Sequence, residues 1–309
     1  MRIGILGTGA IGGFIGGLLL RAGEDVGFIA RGEMLSAIRS SGITIQRSDE
    51  TIVVKPRVVS DDPLEIGELD IVIVSVKTDG LETAAALIKP IVKESTLIVP
   101  TQNGISASKL LTNIFGKEQV IEGICNFNAE ILQPAVIGSR SNQPTFAVGE
   151  SDNRITDRVL TLQSILKNAG FTAVIPENIQ IALWTKLMGI SALASIESIT
   201  RTSSAIWRDI PQVKLMWIQS MEETRRVAES LGVLIPYKEI EGRVDRLDRG
   251  RGGTTSLYKD LIAGKPSEIE HQIGDIIRIA EQNEITIPVN SFIYYSLLPQ
   301  ERLARHGTA

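Results

Sequence analysis

The stretch RIGILGTGAIGGFIGGLLLRAGEDVGFIA, residues 2–30, decides the fold of the first half of the chain. Residues 2–6 are a short apolar run that predicts a buried strand, and Gly7 ends it. Residues 10–22 are apolar nearly all round, which predicts a helix packed tightly on a sheet. Residues 26–30 predict a second strand. The chain therefore opens with a predicted strand-helix-strand unit.

A glycine-rich turn joins the first predicted strand to the helix. Its six residues have the G-x-G-x-x-G form: Gly7, Thr8, Gly9, Ala10, Ile11 and Gly12. The first glycine permits a tight turn, the second lets the backbone approach a pyrophosphate, and the third allows close packing of helix on sheet. Amides at the helix N-terminus then hold the anion. Because the motif follows a predicted strand and opens an apolar helix, we expect it to bind a dinucleotide.

The end of the second predicted strand bears on which dinucleotide is bound. In NAD-binding proteins an acidic residue about 20 positions further on binds the ribose 2′-hydroxyl. Here the strand ends in Ala30 and Arg31. A guanidinium pairs bidentately with a 2′-phosphate, so we expect the cofactor to be NADP (NADPH), bound by Arg31. Glu33, two residues later, keeps NAD open as the alternative.

The alternation of strands and helices continues to about residue 177. Further strands are predicted at residues 69–76, 96–99 and 171–175, a hairpin at 43–46 and 51–55, and a strand-rich region at 121–148. Helices are predicted at residues 81–88 and 154–168. This alternation predicts an α/β domain, a Rossmann-type doubly wound sheet that is parallel at its centre.

Beyond residue 177 strand signals nearly vanish. Helical runs are predicted at residues 179–199, 213–231, 237–248, 267–283 and 290–303. We therefore expect an NADP-binding Rossmann domain at residues 1–177 and an all-helical C-terminal domain at residues 178–309.

Composition narrows the classes of function. At 309 residues the chain exceeds what one hydrophobic core usually supports, which also favours two domains. With 43% hydrophobic and 22% charged residues it has the profile of a soluble globular protein. Its net charge of −4 gives no overall attraction to nucleic acid or to anionic lipid, so neither is an expected partner.

Cysteine and histidine are scarce. Cys125 is the only cysteine, which excludes a disulfide framework and a thiolate zinc cluster and fits a reducing compartment. We expect no metal site. Neither His271 nor His306 lies near a nucleophile-elbow pattern, which disfavours a Ser-His-Asp hydrolase. No secretory signal is visible and no apolar run approaches the length of a bilayer span, so the expected location is the cytoplasm.

Five further motifs follow the glycine turn in order. They are VKT at 76–78, QNG at 102–104, WTK at 184–186, SLYKD at 256–260 and SEIE at 267–270. With these motifs the chain resembles the ketopantoate reductase family, the 2-dehydropantoate 2-reductases. The resemblance implies an NADPH-dependent enzyme with a Rossmann domain and a helical domain, a small 2-oxo acid as substrate, a place in pantothenate biosynthesis and a homodimer formed through the helical domain.

The same resemblance implies roles for single residues. Lys186 is the general acid, and Glu268 contacts the substrate and the catalytic lysine. Asn103 lies beside the nicotinamide ribose and the substrate, Ser256 helps bind the substrate carboxylate, and Lys77 lies near the cofactor.

The chemistry of Lys186 also follows from its surroundings. When a ketone accepts a hydride, negative charge develops on its oxygen, and a positioned proton donor lowers the barrier. Lys186 lies in an apolar stretch, where desolvation favours the neutral amine and so eases proton donation; a nearby Glu268 carboxylate would oppose this effect. The alternative is a helix lysine whose ammonium group reaches the solvent.

The chain departs from the family pattern at four positions where the family carries asparagine: Ile190, Ala194, Ser204 and Gly253. Ile190 and Ala194 follow Lys186 by four and eight residues and so share its helix face. Hydrogen bonds that would recognise the oxygen atoms of the substrate are therefore missing, and a buried group left unpaired costs about 1–3 kcal/mol. We expect a different, more apolar 2-oxo acid or a related ketone.

Other interpretations remain open at this point. A related dehydrogenase of a 3-hydroxy acid or an imine combines the same elements, and a non-enzymatic NADPH sensor would need neither Lys186 nor Glu268. A cluster of Arg243, Arg246, Arg249 and Arg251 is either an anion-binding loop for a carboxylate or phosphate substrate or a solvated surface.

Overall fold

The structure is a computed structural model that describes residues 1–250 and 252–307. It divides into two compact units. Unit 1 comprises Met1–Gln102 and Ala107–Ile179, and unit 2 comprises Asn103–Ser106 and Gln180–Ala309. Arg251 of the arginine cluster lies outside the described residues.

All the described strands lie in unit 1. They are β1 (Arg2–Leu6), β2 (Asp25–Ile29), β3 (Ile43–Gln46), β4 (Thr51–Val54), β5 (Val58–Ser60), β6 (Leu69–Val74), β7 (Val92–Pro100), β8 (Glu122–Asn126), β9 (Glu130–Gln133), β10 (Val136–Gly138), β11 (Thr145–Gly149) and β12 (Thr172–Val174). Its helices are α1 (Ala10–Arg21), α2 (Gly32–Ser41), α3 (Pro63–Ile66), α4 (Leu81–Ile88), α5 (Ala107–Phe115) and α6 (Asp157–Asn168). Two 3-10 turns flank α4, at Thr78–Gly80 and Lys89–Ile91.

The central sheet of unit 1 has the strand order β5-β2-β1-β6-β7, and every neighbouring pair is parallel. Alternate residues of β6 enter two different cores: Ile71 and Ile73 pack in one, Val72 and Val74 in the other. Both faces of the sheet are therefore covered, as in a doubly wound fold. The predicted Rossmann-type α/β fold with a parallel centre is confirmed.

The carboxyl ends of the central strands meet at one edge. Leu6, the last residue of β1, pairs with Ile29 of β2 and with Val74 of β6. The glycine turn, Arg31 and the VKT motif follow these three strand ends directly. In open parallel sheets this is the edge at which ligands bind.

Two smaller sheets complete unit 1, with orders β4-β3-β10-β9 and β12-β11-β8. The predicted hairpin forms as β3 and β4, paired antiparallel with Ile43 opposite Val54. The predictions missed α2, α3, α5 and β5, which have 10, 4, 9 and 3 residues.

Unit 2 is helical, as predicted. Its elements are α7 (Ile179–Thr200, from Gln180 onward), α8 (Ser204–Trp207), α9 (Pro211–Ser230), α10 (Lys238–Arg249), α11 (Ser256–Ile262), a π-helical turn Glu270–Gly274 leading into α12 (Asp275–Gln282), and α13 (Pro288–His306). The short α8 and α11 were not predicted. Trp184, Trp207 and Trp217 are buried in its core.

The expectation that no segment is long and apolar enough to span a bilayer is wrong by length and composition. Helix α7 has 22 residues and a mean hydropathy of 1.4 in its most apolar window. However, 61% of that window is buried within the protein, as in the core helix of a globular domain. Lys186 and Glu197 interrupt the apolar run, so no unbroken run of spanning length is visible in the sequence. The mean hydropathy of the window nevertheless stays high enough for a spanning helix.

Candidate active site

The three glycines of the turn in unit 1 have different surroundings. Gly7 has φ +94°, and a Cβ there would lie 2.7 Å from the backbone nitrogen of Val76. A Cβ on Gly12 would overlap the carbonyl oxygen of Gly7. A Cβ on Gly9 would meet no atom within 4 Å. Gly7 and Gly12 are therefore needed by the fold, whereas Gly9 leaves open space at the mouth of the turn.

That open space lies at the N-terminus of α1. Gly9 is the N-cap residue, no side chain caps the helix, and its first turn holds no acidic residue. The first amides of a helix lack intrahelical acceptors and lie at the positive end of the helix dipole. This arrangement suits an anion such as a pyrophosphate.

Thr8 stabilises the turn. Its hydroxyl donates to the carbonyl oxygen of Ile29 at 3.2 Å, and the Gly7 amide donates to the same oxygen at 3.3 Å. Both bonds tie the turn to the end of β2. Thr8 is buried and thus has a structural role in the turn.

Arg31 follows β2 and is the N-cap residue of α2. Its side chain and that of Glu33, in the first turn of α2, are exposed. Within residues 1–250 and 252–307 neither side chain forms an ion pair. Both side chains are therefore accessible to a ribose substituent, Arg31 to a 2′-phosphate and Glu33 to a 2′-hydroxyl.

The segment after β6 is held by the QNG motif. The Gln102 amide nitrogen donates to the carbonyl oxygens of Val74 at 3.0 Å and Val76 at 2.8 Å. Lys77 follows, exposed, as the N-cap residue of the 3-10 turn Thr78–Gly80. Gln102 therefore fixes the backbone that presents Lys77, a role that the sequence analysis did not assign.

Asn103 belongs to unit 2, in the short segment Asn103–Ser106. Gly104 has φ +105°, and a Cβ there would overlap the carbonyl oxygen of His271. The Ser106 hydroxyl lies 3.5 Å from Nδ1 of His271. The loop of Asn103 is thereby packed on the π-helical turn that begins just after Glu268. Such single π turns occur frequently at functional sites.

The neighbours of Glu268 in the SEIE motif anchor it. The backbone nitrogen and the hydroxyl of Ser267 both donate to Glu301, at 3.1 Å and 2.6 Å. The Tyr294 hydroxyl donates to Glu270 at 2.9 Å, and burial together with this carboxylate raises the pKa of Tyr294 to about 12. Glu268 itself is half-buried between these two fixed points.

Lys186 lies on α7 and is half-buried. Ile190 and Ala194 follow on the same face, Ala194 fully buried, so these two positions present only apolar side chains. Structure and sequence agree that the polar groups typical of the family are missing on this face.

Sequence reasoning missed Glu197, which extends the same face by a further turn. Its side chain is fully buried, its Oε2 accepts the Thr255 amide at 2.8 Å, and its Oε1 has no partner among the described residues. Burial raises the pKa of Glu197 to about 7, against the lowering effect of its hydrogen bonds to Thr255 and Ser204. A lone glutamate in an apolar helix was the available sequence signal.

Glu197 holds the loop that leads to Ser256. In that loop the Gly253 amide donates to the Ser204 hydroxyl at 3.1 Å, and the Ser204 amide donates to the Gly253 carbonyl at 3.4 Å. Two positions that carry asparagine in the family therefore bond to each other. Ser256 is exposed at the start of α11, and the residue that caps this helix is Thr255.

The chain was compared with known proteins. Residues 3–153 match the family model for ketopantoate reductase PanE/ApbA, and residues 178–301 match that for its C-terminal part. The 2-dehydropantoate 2-reductase of Pyrococcus horikoshii is 26% identical over 303 residues, covering 98% of each chain.

Two solved structures extend the comparison. A PanE/ApbA family ketopantoate reductase from Ralstonia eutropha superposes with a TM-score of 0.91 at 26% identity, covering 99% of this chain and 100% of that one. A D-mandelate dehydrogenase solved with NADH and anilino(oxo)acetate gives a TM-score of 0.90 at 20% identity over 99% and 100% of the two chains. At 20% identity this second likeness shows the fold alone.

Proposed function

The chain belongs to the ketopantoate reductase family, and on that premise we propose that it is an NADPH-dependent reductase of a 2-oxo acid. Family and relatives indicate an oxidoreductase that acts on a keto or hydroxy acid. The observation that supports the reductase most strongly is the uncapped N-terminus of α1 behind the open space at Gly9. It is the site that a dinucleotide pyrophosphate requires.

Unit 1 supplies the proposed cofactor site. Residues 7–12 hold the pyrophosphate, Arg31 pairs with the 2′-phosphate of NADP, and Lys77 lies near the cofactor. By the family pattern, Asn103 would lie beside the nicotinamide ribose and the substrate. Glu33 would take the place of Arg31 if the cofactor were NAD.

When bound, the reduced nicotinamide supplies a hydride to the carbonyl carbon of the substrate. The Lys186 ammonium donates a proton to the carbonyl oxygen, so that the ketone becomes a hydroxyl group and the charge on the oxygen is neutralised as it forms. Glu268 contacts both the substrate and Lys186 and keeps the ammonium oriented. Ser256 donates its hydroxyl to the substrate carboxylate. The product is a 2-hydroxy acid.

The substrate is proposed to be an acid other than ketopantoate. Ile190 and Ala194 offer no hydrogen bond on the helix face of Lys186, and Ser204 and Gly253 bond to each other. A hydroxyl group on the substrate would find no partner at these four positions. A 2-oxo acid with an apolar side chain avoids that cost of about 1–3 kcal/mol.

The homodimer follows from the family, and the other remaining assignments follow from the charge, composition and element pattern of the sequence. Residues 1–177 would bind NADP, and residues 178–309 would bind substrate and form a homodimer. The protein would act in the cytoplasm on a small molecule, without nucleic acid or membrane as partner, and with no metal.

A substrate panel tests the proposal. Purified protein is mixed with NADPH or NADH and with ketopantoate, apolar 2-oxo acids, 3-oxo acids and cyclic imines, and the loss of nicotinamide absorbance is followed. The proposal predicts the highest kcat/KM for an apolar 2-oxo acid with NADPH. A preference for ketopantoate would contradict the changed specificity, turnover of only 3-oxo acids or imines would indicate the related dehydrogenase, and cofactor binding without any turnover would indicate a sensor.

A further inference from the structure

Arg243 differs from the other described arginines of its cluster. Arg246 and Arg249 are exposed, and Arg249 pairs with Asp245 at 3.7 Å. Arg243 instead turns inward from α10, and its Nη2 donates to the carbonyl oxygen of Thr185 at 2.6 Å. Thr185 directly precedes Lys186 on α7. One guanidinium of the cluster therefore lies beside the proposed catalytic helix.

This half-buried cation has no ion-pair partner among the described residues. Among the described residues no carboxylate lies within ion-pair distance of Arg243, and its Nε is buried without a partner. Burial, followed by the like charge of Arg246, lowers the pKa of Arg243 to about 10 against the opposite charge of Glu239, which lies beyond ion-pair distance, so the group stays cationic at neutral pH. A guanidinium carries five N–H donors, and within the described part of the chain only Nη2 of Arg243 uses one, in its hydrogen bond to the Thr185 carbonyl.

Gly189 makes this position possible. A Cβ on Gly189 would overlap the guanidinium of Arg243. Gly189 is three residues after Lys186, so the two positions are neighbours on the helix surface. The same helix lacks the asparagines typical of the family at positions 190 and 194. The guanidinium of Arg243 lies beside it. A partly desolvated charge without an ion pair is costly, and such groups are concentrated at functional sites.

On the basis of the reductase activity proposed above, we propose that Arg243 is a carboxylate-binding residue that receives the acid group of the 2-oxo acid substrate beside Lys186. A planar guanidinium matches a carboxylate with two parallel hydrogen bonds, and the anion would supply the ion-pair partner that Arg243 lacks among the described residues. Arg243 would thus select acids over neutral ketones and imines, a specificity that Ser256 alone, with an uncharged hydroxyl, would not provide.

Three variants separate this role from general effects. Arg243→Met removes the charge at similar length. Gly189→Ala keeps every charge but displaces the guanidinium, at little cost to folding because only the flexible end of a side chain must move. Arg246→Met is the matched control, since it removes an exposed positive charge one turn further along α10.

The first readout is kinetic. With the best 2-oxo acid, Arg243→Met and Gly189→Ala are expected to raise KM about 10–100-fold, the loss of a charge-assisted hydrogen bond pair, with a much smaller change in kcat. With the methyl ester of the same acid, and for NADPH affinity, both variants should match the wild type. Arg246→Met should match it throughout.

The second readout does not need activity. Oxalate, a dicarboxylate that cannot be reduced in this assay, should raise the melting temperature of the wild type and of Arg246→Met but not of the other two variants. If no ketone is reduced yet this pattern is found, the carboxylate site stands and the reductase proposal fails. If reduction proceeds and Arg243→Met keeps the wild-type KM and oxalate shift, the reductase proposal stands and the role of Arg243 is refuted.

Discussion

Gly12 lies directly against the carbonyl oxygen of Gly7, so closely that a Cβ on Gly12 would overlap it. The same Cβ would lie 2.9 Å from Cγ2 of Ile5, within the sheet. Gly9, in the middle of the motif, has no atom within 4 Å of the position where its Cβ would be. One motif thus combines a glycine that the fold requires with a glycine that only a ligand would require.

Alanine at these two positions should separate folding from binding. Gly12→Ala is expected to lower the free energy of unfolding by about 1–3 kcal/mol through overpacking against backbone. Gly9→Ala should keep the melting temperature of the wild type but weaken NADPH binding at least tenfold, because its Cβ fills the space for the pyrophosphate. Thermal denaturation and a fluorescence titration with NADPH measure both effects. Wild-type NADPH affinity in Gly9→Ala would show that the pyrophosphate does not bind here.

Arg31 should determine the preference for NADP. Arg31→Ala is expected to lower NADPH affinity about 10–100-fold by removing a charge-assisted phosphate contact, and to leave NADH affinity nearly unchanged. Glu33→Gln is the companion variant, because Glu33 is the group that would bind the 2′-hydroxyl of NAD. Both variants are titrated with both cofactors. If Glu33→Gln loses NADH affinity while Arg31→Ala binds NADPH as tightly as the wild type, the cofactor is NAD and not NADP.

Glu197 should make stability depend on pH. Its pKa is raised from 4.5 to about 7 in the folded protein by burial, so the folded state holds a proton that the unfolded state has released. The free energy of unfolding should therefore fall as pH rises from about 4.5 to 7 and level off above, by on the order of 2–3 kcal/mol.

Glu197→Gln removes the titrating proton while its amide oxygen can still accept the Thr255 amide. Urea unfolding of both proteins at pH 5, 6, 7 and 8 should show that the variant loses this slope. An identical slope in wild type and variant would mean that Glu197 is not protonated in the folded state. If Glu197→Gln also changes the KM for the 2-oxo acid, the same carboxyl helps to position the loop of Ser256.

The sequence was sufficient for the parallel centre of the fold because its signals are local. Residues 2–30 contain an apolar strand, a glycine turn and an apolar helix in direct succession, and each is readable from periodicity or from the need for a bare backbone. Short elements escaped notice: α8 (Ser204–Trp207) has four residues and gains its stability from contacts with the loop at Gly253. Such contacts join positions 49 residues apart and leave no local pattern.

The same limit applies to the candidate site. The arginine cluster was visible in sequence, but only the fold shows that Arg243 is turned against Gly189 while Arg246 remains exposed. Glu197 was visible as a charge in an apolar helix, but its partner Thr255 is 58 residues away. Conversely, the motifs at Lys186 and Glu268 were recognised by resemblance, and their proposed roles rest on it.

The central claim is that Lys186 protonates the carbonyl oxygen of the substrate. General acid catalysis by a positioned side chain typically contributes about 10²–10⁴-fold, so Lys186→Ala should lower kcat by that factor. NADPH affinity should stay within about twofold of the wild type, because Lys186 is not part of the phosphate site. Lys265→Ala, an exposed lysine of the same unit, serves as the control and should have wild-type kinetics.

The most direct measurement is therefore single-turnover oxidation of bound NADPH by the best 2-oxo acid in wild type, Lys186→Ala and Lys265→Ala. General acid catalysis by Lys186 predicts a rate loss of at least about 100-fold in Lys186→Ala alone, with the cofactor still bound. A Lys186→Ala protein that oxidises NADPH at the wild-type rate would contradict it.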